Sequence, residues 1–299
     1  GVLAPHVRSG PMTEMSPTDK LVGLAIGTHS VHSIAVRQIF LPVVGPVAEA
    51  VELYLDQLRL RERLARHAGE FVIWDVGLGA AANALTVLEG TREVPCPIHL
   101  ISFDHTLEPL RFALAHANDL GYLGGWESFL EILLRDGRVT IQQARRVVHW
   151  EVQRGDFPTL LAGPDAGRMP SPHAILFDAY SPARNPAMWT LDLFTRLHQR
   201  LDPERPCLMP TYSRATLLRV SLLLAGFFVG TGHATGLKEE TTIAASHRDL
   251  LDHPLGPDWL RRVRKSTSAE PLPEAVYRQA PLSESNWEKL LQHPQFRAK

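Results

Sequence analysis

The chain has 299 residues, 44% hydrophobic and 21% charged, enough for one sizeable core or two small ones. A formal net charge of -1 argues against a strongly cationic nucleic-acid binder. Cys96 and Cys207 form no CxxC pair, so a zinc site or disulfide framework is not indicated, and the bland reading is two buried thiols in a reducing compartment.

Taken in chain order, residues 1–20 are expected to be a disordered or tag-derived N-terminus without the basic-then-apolar order of a signal peptide. Residues 21–70 read as a helical cap. They hold THSVHS (Thr28–Ser33) and then a helix in which Val47, Val51, Tyr54, Leu55, Leu58 and Leu64 recur at helical spacing, with Gly69 as its stop. From Phe71 short apolar runs alternate with helical segments. FVIWDVG reads as a buried strand, the helix AAANALTVLEG follows, and IHLISFD is a second strand. Helices follow over Leu107–Leu120 and Trp126–Arg135. VVHWEVQRGD and HAILFDAY are strands, MWTLDLFTRLHQRL an amphipathic helix, PCLMPTYS a strand and ATLLRVSLLLAG a helix. The strands FFVGTGHA and EETTIAAS close the series. Such alternation predicts an α/β fold, a parallel sheet with helices on both faces. The two consecutive strands at the end predict an antiparallel last strand. That layout is the seven-stranded, Rossmann-like sheet of class I S-adenosylmethionine-dependent methyltransferases rather than a plain dinucleotide-binding fold. The core domain is expected over residues 71–248, with a Pro-rich, charged extension over 249–299 that carries a basic run at Arg261–Lys265 and a short helix at Ser283–Leu291. Apolar runs such as Leu217–Val229 are broken by Arg219 and Gly226 and are too short to span a bilayer.

Three features carry chemistry. The turn Asp75-Val76-Gly77-Leu78-Gly79-Ala80-Ala81 follows a buried strand and opens a helix, where small residues let the backbone approach a ligand and a helix N-terminus offers N–H groups to an anion. Asp104 and Asp156 close the next two strands, where acids can accept from ribose hydroxyls and the adenine amino group. With Asp75 they make three acids on one expected rim. Asp178 ends the fourth strand, followed by the two-proline loop Ser181–Pro186, with Met188 and Trp189 opening the next helix. There is no GxSxG elbow or Walker-type loop, and His29 and His32 lack a third metal partner.

The string DAYSPARNPAMW resembles the D-x-F-x-P-x-(K/R)-N-P-x-(M/L)-W signature of the MnmC-type methyltransferases. VGLGAAANAL is similar to that family's GFGTGLN turn, with Asn83 in place of its asparagine. THS or VHS followed by GPVAEAVELYL resembles its N-terminal pattern, and LLAGFFV…GLKEETTIA its ending, so the likeness runs from about Thr28 to Ala245. A stand-alone form without the family's FAD oxidoreductase domain is the expectation from this resemblance. The resemblance implies S-adenosyl-L-methionine as cofactor, a cytoplasmic setting, and methylation of the aminomethyl group of 5-aminomethyl(-2-thio)uridine at the tRNA wobble position. It makes Asp178 the catalytic carboxylate. Cofactor contacts are then expected from Asp75, Gly77, Gly79, Asn83, Asp104, Asp156 and Glu49. Substrate contacts are expected from Tyr180, Ser181, Pro182, Arg184, Asn185, Pro186, Trp189 and Lys238. The implied partners are tRNA, held through its anticodon arm, and a separate FAD-dependent or aminomethyl-forming enzyme acting upstream; no membrane is implied. Lys238-Glu239-Glu240-Thr241 replaces the family's K-R-E-M, so a small-molecule acceptor, or a binding protein that has kept the fold, remain open beside tRNA. Phosphate contacts could come from Arg59, Arg61, Arg63 and Arg66, from Arg145, Arg146 and Arg184, or from the run at 261–265.

Overall fold

The computed structural model describes residues 50–143, 145–232 and 240–297. Eight strands form one sheet in the order β3-β4-β2-β1-β5-β6-β8-β7. At its centre β1 (Phe71–Val76) is buried along its whole length, its odd and even residues feeding two different cores, as an uninterrupted apolar run requires. β2 (Ile98–Asp104) and β5 (Ala174–Phe177) pair parallel on either side of it. β4 (Arg146–Arg154) is parallel to β2, and β6 (Leu208–Thr211) to β5. β8 (Thr241–Ala245) inserts antiparallel between β6 and β7 (Phe228–Gly232), which makes the last strand antiparallel as expected.

The count of seven is corrected to eight. Residues 138–143 form β3 (Arg138–Gln143), an antiparallel edge strand hairpinned to β4. Its inward positions offer only Val139 and Ile141, so the alternation is too shallow to stand out in the sequence.

Two apolar layers cover the sheet. On one face lie α2 (Ala82–Gly90), α3 (Glu108–Ala115) and α5 (Glu127–Asp136) with a π-helical turn at Val51–Asp56. On the other lie α6 (Phe157–Ala162), α7 (Leu191–Gln199) and α8 (Thr216–Ala225). The helix expected from Val47 is broken: Arg59 takes a left-handed φ of 51°, separating the π-helical turn from α1 (Leu60–Arg66). The 107–120 helix likewise divides at His116 into α3 and α4 (Ala117–Leu120).

Residues after 248 fold onto the second layer. Trp259, Leu260 and Val263 of α9 (Pro257–Lys265) and Leu290 of α10 (Glu284–Leu291) are buried there. The Gln295 side chain pairs with edge strand β7, accepting from Val229 N at 2.9 Å and donating to Val229 O at 2.7 Å, which closes an otherwise open sheet edge. Among the described residues no helix is long and apolar enough to cross a membrane.

Candidate functional site

The chain leaves β1 toward β2 on one side and returns to β5 on the other, so the carboxyl ends of β1 and β5 flank a switch point, the usual ligand crevice of a doubly wound sheet. The glycine turn sits there. Gly77 has φ +95°, and a Cβ on it would lie 2.5 Å from the carbonyl oxygen of Asp178, so only glycine lets this turn pass under the end of β5. Gly79 has φ +53° and open space where its Cβ would be. Ala81 carries the helix start in the left-handed region, φ 67°, fully buried and without a side-chain cap.

The turn's amides are partly committed. Gly77 N and Leu78 N donate to Phe103 O at 2.9 and 3.1 Å, and Gly79 N donates to Asp104 Oδ2 at 2.9 Å. Asp104 thus tethers the turn to the end of β2 while its other oxygen accepts from Thr106 N at 3.3 Å.

Asp75 is buried, and Ser102 Oγ donates to its Oδ2 at 2.7 Å. Trp150 Nε1 donates to that same serine hydroxyl at 2.9 Å, a chain that fixes the carboxyl from β4 through β2. Its Oδ1 is buried with no hydrogen-bond partner among the described residues. Loss of water pushes the Asp75 carboxyl up to about 7, the Ser102 hydrogen bond pulls it back, and Asp178 and Asp104 add to the rise.

Asp178 follows β5 and accepts from Asn83 Nδ2 at 2.9 Å through its Oδ2. Its backbone N–H donates to Val76 O at 3.1 Å, which locks the two strand ends together. The loop beyond is held by amides of Arg184 and Asn185 donating to Ser181 O at 3.0 and 2.9 Å. Ser181 and Arg184 are exposed, and Pro182, Asn185 and Pro186 half-buried. Tyr180 is half-buried; desolvation raises its phenol, Asp178 and Asp104 raise it further, and Arg184 opposes them. Trp189 is buried against Phe177 and Phe194, and its indole N–H donates to Tyr180 O, so it anchors the loop from beneath.

The structure therefore gathers Asp75, Gly77, Gly79, Asn83, Asp104, Asp178 and Tyr180 at one rim. Asp156 is an exposed helix cap whose Oδ2 accepts from Thr159 N and Oγ1 at 3.2 and 2.6 Å. The acid that electrostatically joins Asp75 and Asp104 is Asp178. Glu49 and Lys238, with His29 and His32, lie outside the described residues.

Sequence reasoning missed Tyr54, Tyr122 and Tyr212 as polar groups here. Tyr122 Oη donates to Ala80 O at 2.9 Å, bracing the turn. Tyr54 is fully buried in the π-helical turn, its ring edge-on to Tyr212 at 6.2 Å, and its hydroxyl has no hydrogen-bond partner among the described residues. Its phenol is raised well above the ordinary range by burial first, then by Asp178, Tyr212 and Asp75. At helical spacing among leucines a tyrosine reads as core, so only the π-helical turn and the approach to Asp178 reveal it.

Several arginines read as phosphate contacts are structural. Arg63 donates to His173 O and Pro206 O at 2.8 and 3.0 Å, Arg59 to Leu250 O at 2.9 Å, and Arg61 to Gly90 O at 2.7 Å. Arg146 is buried, donating to Thr91 O at 2.9 Å and Leu88 O at 2.7 Å at the end of α2.

Residues 126–247 match a family described as S-adenosyl-L-methionine-dependent methyltransferase. The bifunctional protein MnmC of Pseudomonas putida (strain W619), named for tRNA 5-methylaminomethyl-2-thiouridine biosynthesis, is 28% identical over 243 residues, covering 77% of this chain and 35% of its own length. The same-named protein of Aeromonas hydrophila is 28% identical over 215 residues, covering 65% of this chain and 30% of its own. The chain thus spans about a third of the length of these curated relatives. A crystal structure of MNMC2 from Aquifex aeolicus shares the fold with a TM-score of 0.60 at 23% identity, covering 85% of this chain and 77% of that one. The sheet and the turn agree with that match, which places residues 126–247 among sequences described as S-adenosyl-L-methionine-dependent methyltransferases. The methyl donor that this description names is S-adenosyl-L-methionine. The chain resembles those bifunctional MnmC proteins over about a third of their length and shares the fold of MNMC2.

Proposed function

We propose that the chain methylates a primary alkylamine, the aminomethyl group of 5-aminomethyl(-2-thio)uridine at the wobble position of tRNA, acting in the cytoplasm downstream of a separate enzyme that forms the aminomethyl group. The observation that carries this reading is the Asn83–Asp178 hydrogen bond, which joins the glycine turn to the loop bearing SPARNP. The tRNA part draws on the names of the relatives.

The site suits the donor. The open space over Gly79 admits its amino-acid end, and the unpartnered, buried Oδ1 of Asp75 is an acceptor awaiting an N–H group. Asp75, Gly77, Gly79, Asn83 and Asp104 are the residues that would hold it, with the exposed Asp156 beside Asp104; Glu49, also expected in this set, lies outside the described residues. When bound, S-adenosyl-L-methionine supplies a methyl group on a sulfonium, which leaves as a neutral thioether.

An alkylammonium has no lone pair to attack with. Asp178 accepts its proton, and the freed amine, held by that carboxylate, meets the methyl carbon. Asn83 fixes one carboxylate oxygen and so aims the other. Alignment of the two reactants provides much of the acceleration. Tyr180, Ser181, Pro182, Arg184, Asn185, Pro186 and Trp189 form the acceptor side in this reading, Trp189 by shaping the loop; Lys238, expected with them, lies outside the described residues.

A second acceptor class, a free small amine, is favoured by the structural employment of Arg59, Arg63 and Arg146, which removes three cations from any RNA-binding face. Calorimetry with S-adenosyl-L-methionine, followed by methyl transfer to hypomodified tRNA and to the free aminomethyl nucleoside, separates the readings. Transfer to tRNA supports the first, transfer to the nucleoside alone supports the second, and absence of cofactor binding overturns both.

A further inference from the structure

The Tyr54 hydroxyl is a buried polar group with no hydrogen-bond partner among the described residues. Tyr122, also in the rim, has its hydroxyl paired with Ala80 O. Burying a hydroxyl without a partner is costly, and native proteins tolerate it where a ligand or water completes the bond. Tyr54 is held rigidly. Its ring is enclosed by the first apolar layer and edge-on to Tyr212, and a π-helical turn, a distortion often found at functional sites, presents it. The groups bearing on its hydroxyl are Asp178, Tyr212 and Asp75. They bring the hydroxyl within electrostatic reach of the carboxylate that takes the proton, while the Tyr212 ring, 6.2 Å away at the end of β6, fixes its side of the rim.

We propose that the Tyr54 hydroxyl is a second contact to the acceptor amine, its oxygen accepting an N–H while Asp178 accepts the proton that is lost. A methylene-bound amine that has given up one proton retains two N–H bonds. One directed to Asp178 and one to Tyr54 leave the lone pair facing the methyl donor, a geometry that a single carboxylate does not define. Burial and the nearby carboxylates keep this phenol neutral, so it orients the nitrogen without exchanging a proton. The proposal rests on the amine-methylating reading above.

The test is Tyr54→Phe, which keeps the ring and removes only the oxygen. Methyl transfer is measured to an anticodon stem-loop RNA carrying 5-aminomethyluridine and to the free nucleoside, beside calorimetry with S-adenosyl-L-methionine and a thermal melt. The expected result is a fall in kcat/KM of about ten- to a hundredfold on the acceptor that wild type methylates. Cofactor Kd should stay within about twofold and the melting temperature should not drop. Unchanged kcat/KM overturns the proposal, as does a cofactor Kd weakened in step with activity, which would assign the hydroxyl to the donor. A lower melting temperature at full activity overturns it in favour of a packing role. Wild-type protein inactive on both acceptors overturns the amine reading itself, a result distinct from an active wild type with an equally active variant.

Discussion

Asn83 and Asp178, 95 positions apart, meet in a 2.9 Å hydrogen bond from Nδ2 to Oδ2 that binds the first turn of α2 to the end of β5. One residue follows the glycine turn and the other opens the SPARNP loop. The amide can only donate at that atom, so it demands an oxygen there and holds the carboxylate in one rotamer.

Replacing Asp178 by Asn keeps the shape and removes the proton acceptor. Turnover should fall by about 10²–10⁴-fold while calorimetry shows S-adenosyl-L-methionine binding largely retained. Asn83→Ala should cost about tenfold in kcat, because the carboxylate survives unaimed. Near-normal turnover in Asp178→Asn would remove Asp178 from the mechanism.

The donor contact proposed for Asp75 predicts pH-dependent cofactor binding. Its carboxyl is raised in the folded chain to about 7, so the protonated form is favoured by folding, and its stabilising contribution is complete below the unfolded value near 3.8 and lost as pH rises toward 7. The cofactor-free protein should therefore melt at progressively lower temperature between pH 5 and 7 on account of this group. A cationic ammonium placed beside its open oxygen prefers the carboxylate. S-adenosyl-L-methionine should then bind more tightly at pH 8 than at pH 6, with proton release visible in buffers of different ionisation enthalpy. Asp75→Asn should flatten both dependences. A cofactor Kd that stays level from pH 6 to 8 in wild type argues against the contact.

Ala81 offers a separate check on the turn. A left-handed φ of 67° costs an alanine about 1–2 kcal/mol, while its fully buried methyl returns about 0.8 kcal/mol. Glycine relieves the first and forfeits the second, with added unfolded-state entropy, so Ala81→Gly should shift unfolding free energy by under about 1 kcal/mol. Ala81→Val should lose more than about 2 kcal/mol, as a branched side chain suffers most in that region. Chemical denaturation measures both. Equal stability of the two variants would show that the turn is not held as described.

These residues show where sequence reading succeeds. That Asn83 and Asp178 lie at the strand-end rim was legible because each stands at a fixed offset from a strand end inside a dense local motif. The order of strands was legible because each buried strand is a continuous apolar run. Asp156 follows the carboxyl end of β4, where Gly155 N donates to Asp104 O at 2.9 Å, and its Oδ2 also caps α6, a second duty that an aspartate before Phe-Pro-Thr does not reveal in the sequence. β3 and the break at Arg59 escaped because both are set by tertiary partners: the β4 ladder in one case, and Leu250 in the other. The packed tail escaped for the same reason. Its anchors Trp259, Leu290 and Gln295 are scattered through a polar stretch and acquire meaning only against β7 and the second layer.

The arginines give the last prediction. Arg146 and Arg184 look alike in the sequence as candidate phosphate contacts, yet the fold separates them. Arg146 is buried and donates to Thr91 O, Thr91 Oγ1, Leu88 O and Gln143 Oε1, ending α2 and tying it to the β3–β4 hairpin. Arg146→Ala leaves those carbonyls without donors and opens a void, so unfolding free energy should fall by about 2–4 kcal/mol. Its RNA affinity should remain unchanged wherever the variant stays folded. Arg184 is exposed on the acceptor loop, next to Tyr180 and in the rim with Asp178. Arg184→Ala should leave stability within about 0.5 kcal/mol. If tRNA is the acceptor, it should weaken binding and lower the slope of log affinity against log salt by about 1. Binding titrations of hypomodified tRNA at several salt concentrations, beside urea melts, decide it. An Arg146→Ala protein that melts like wild type but loses RNA, or an Arg184→Ala protein with an unaltered salt slope, would reverse this division between framework and interface.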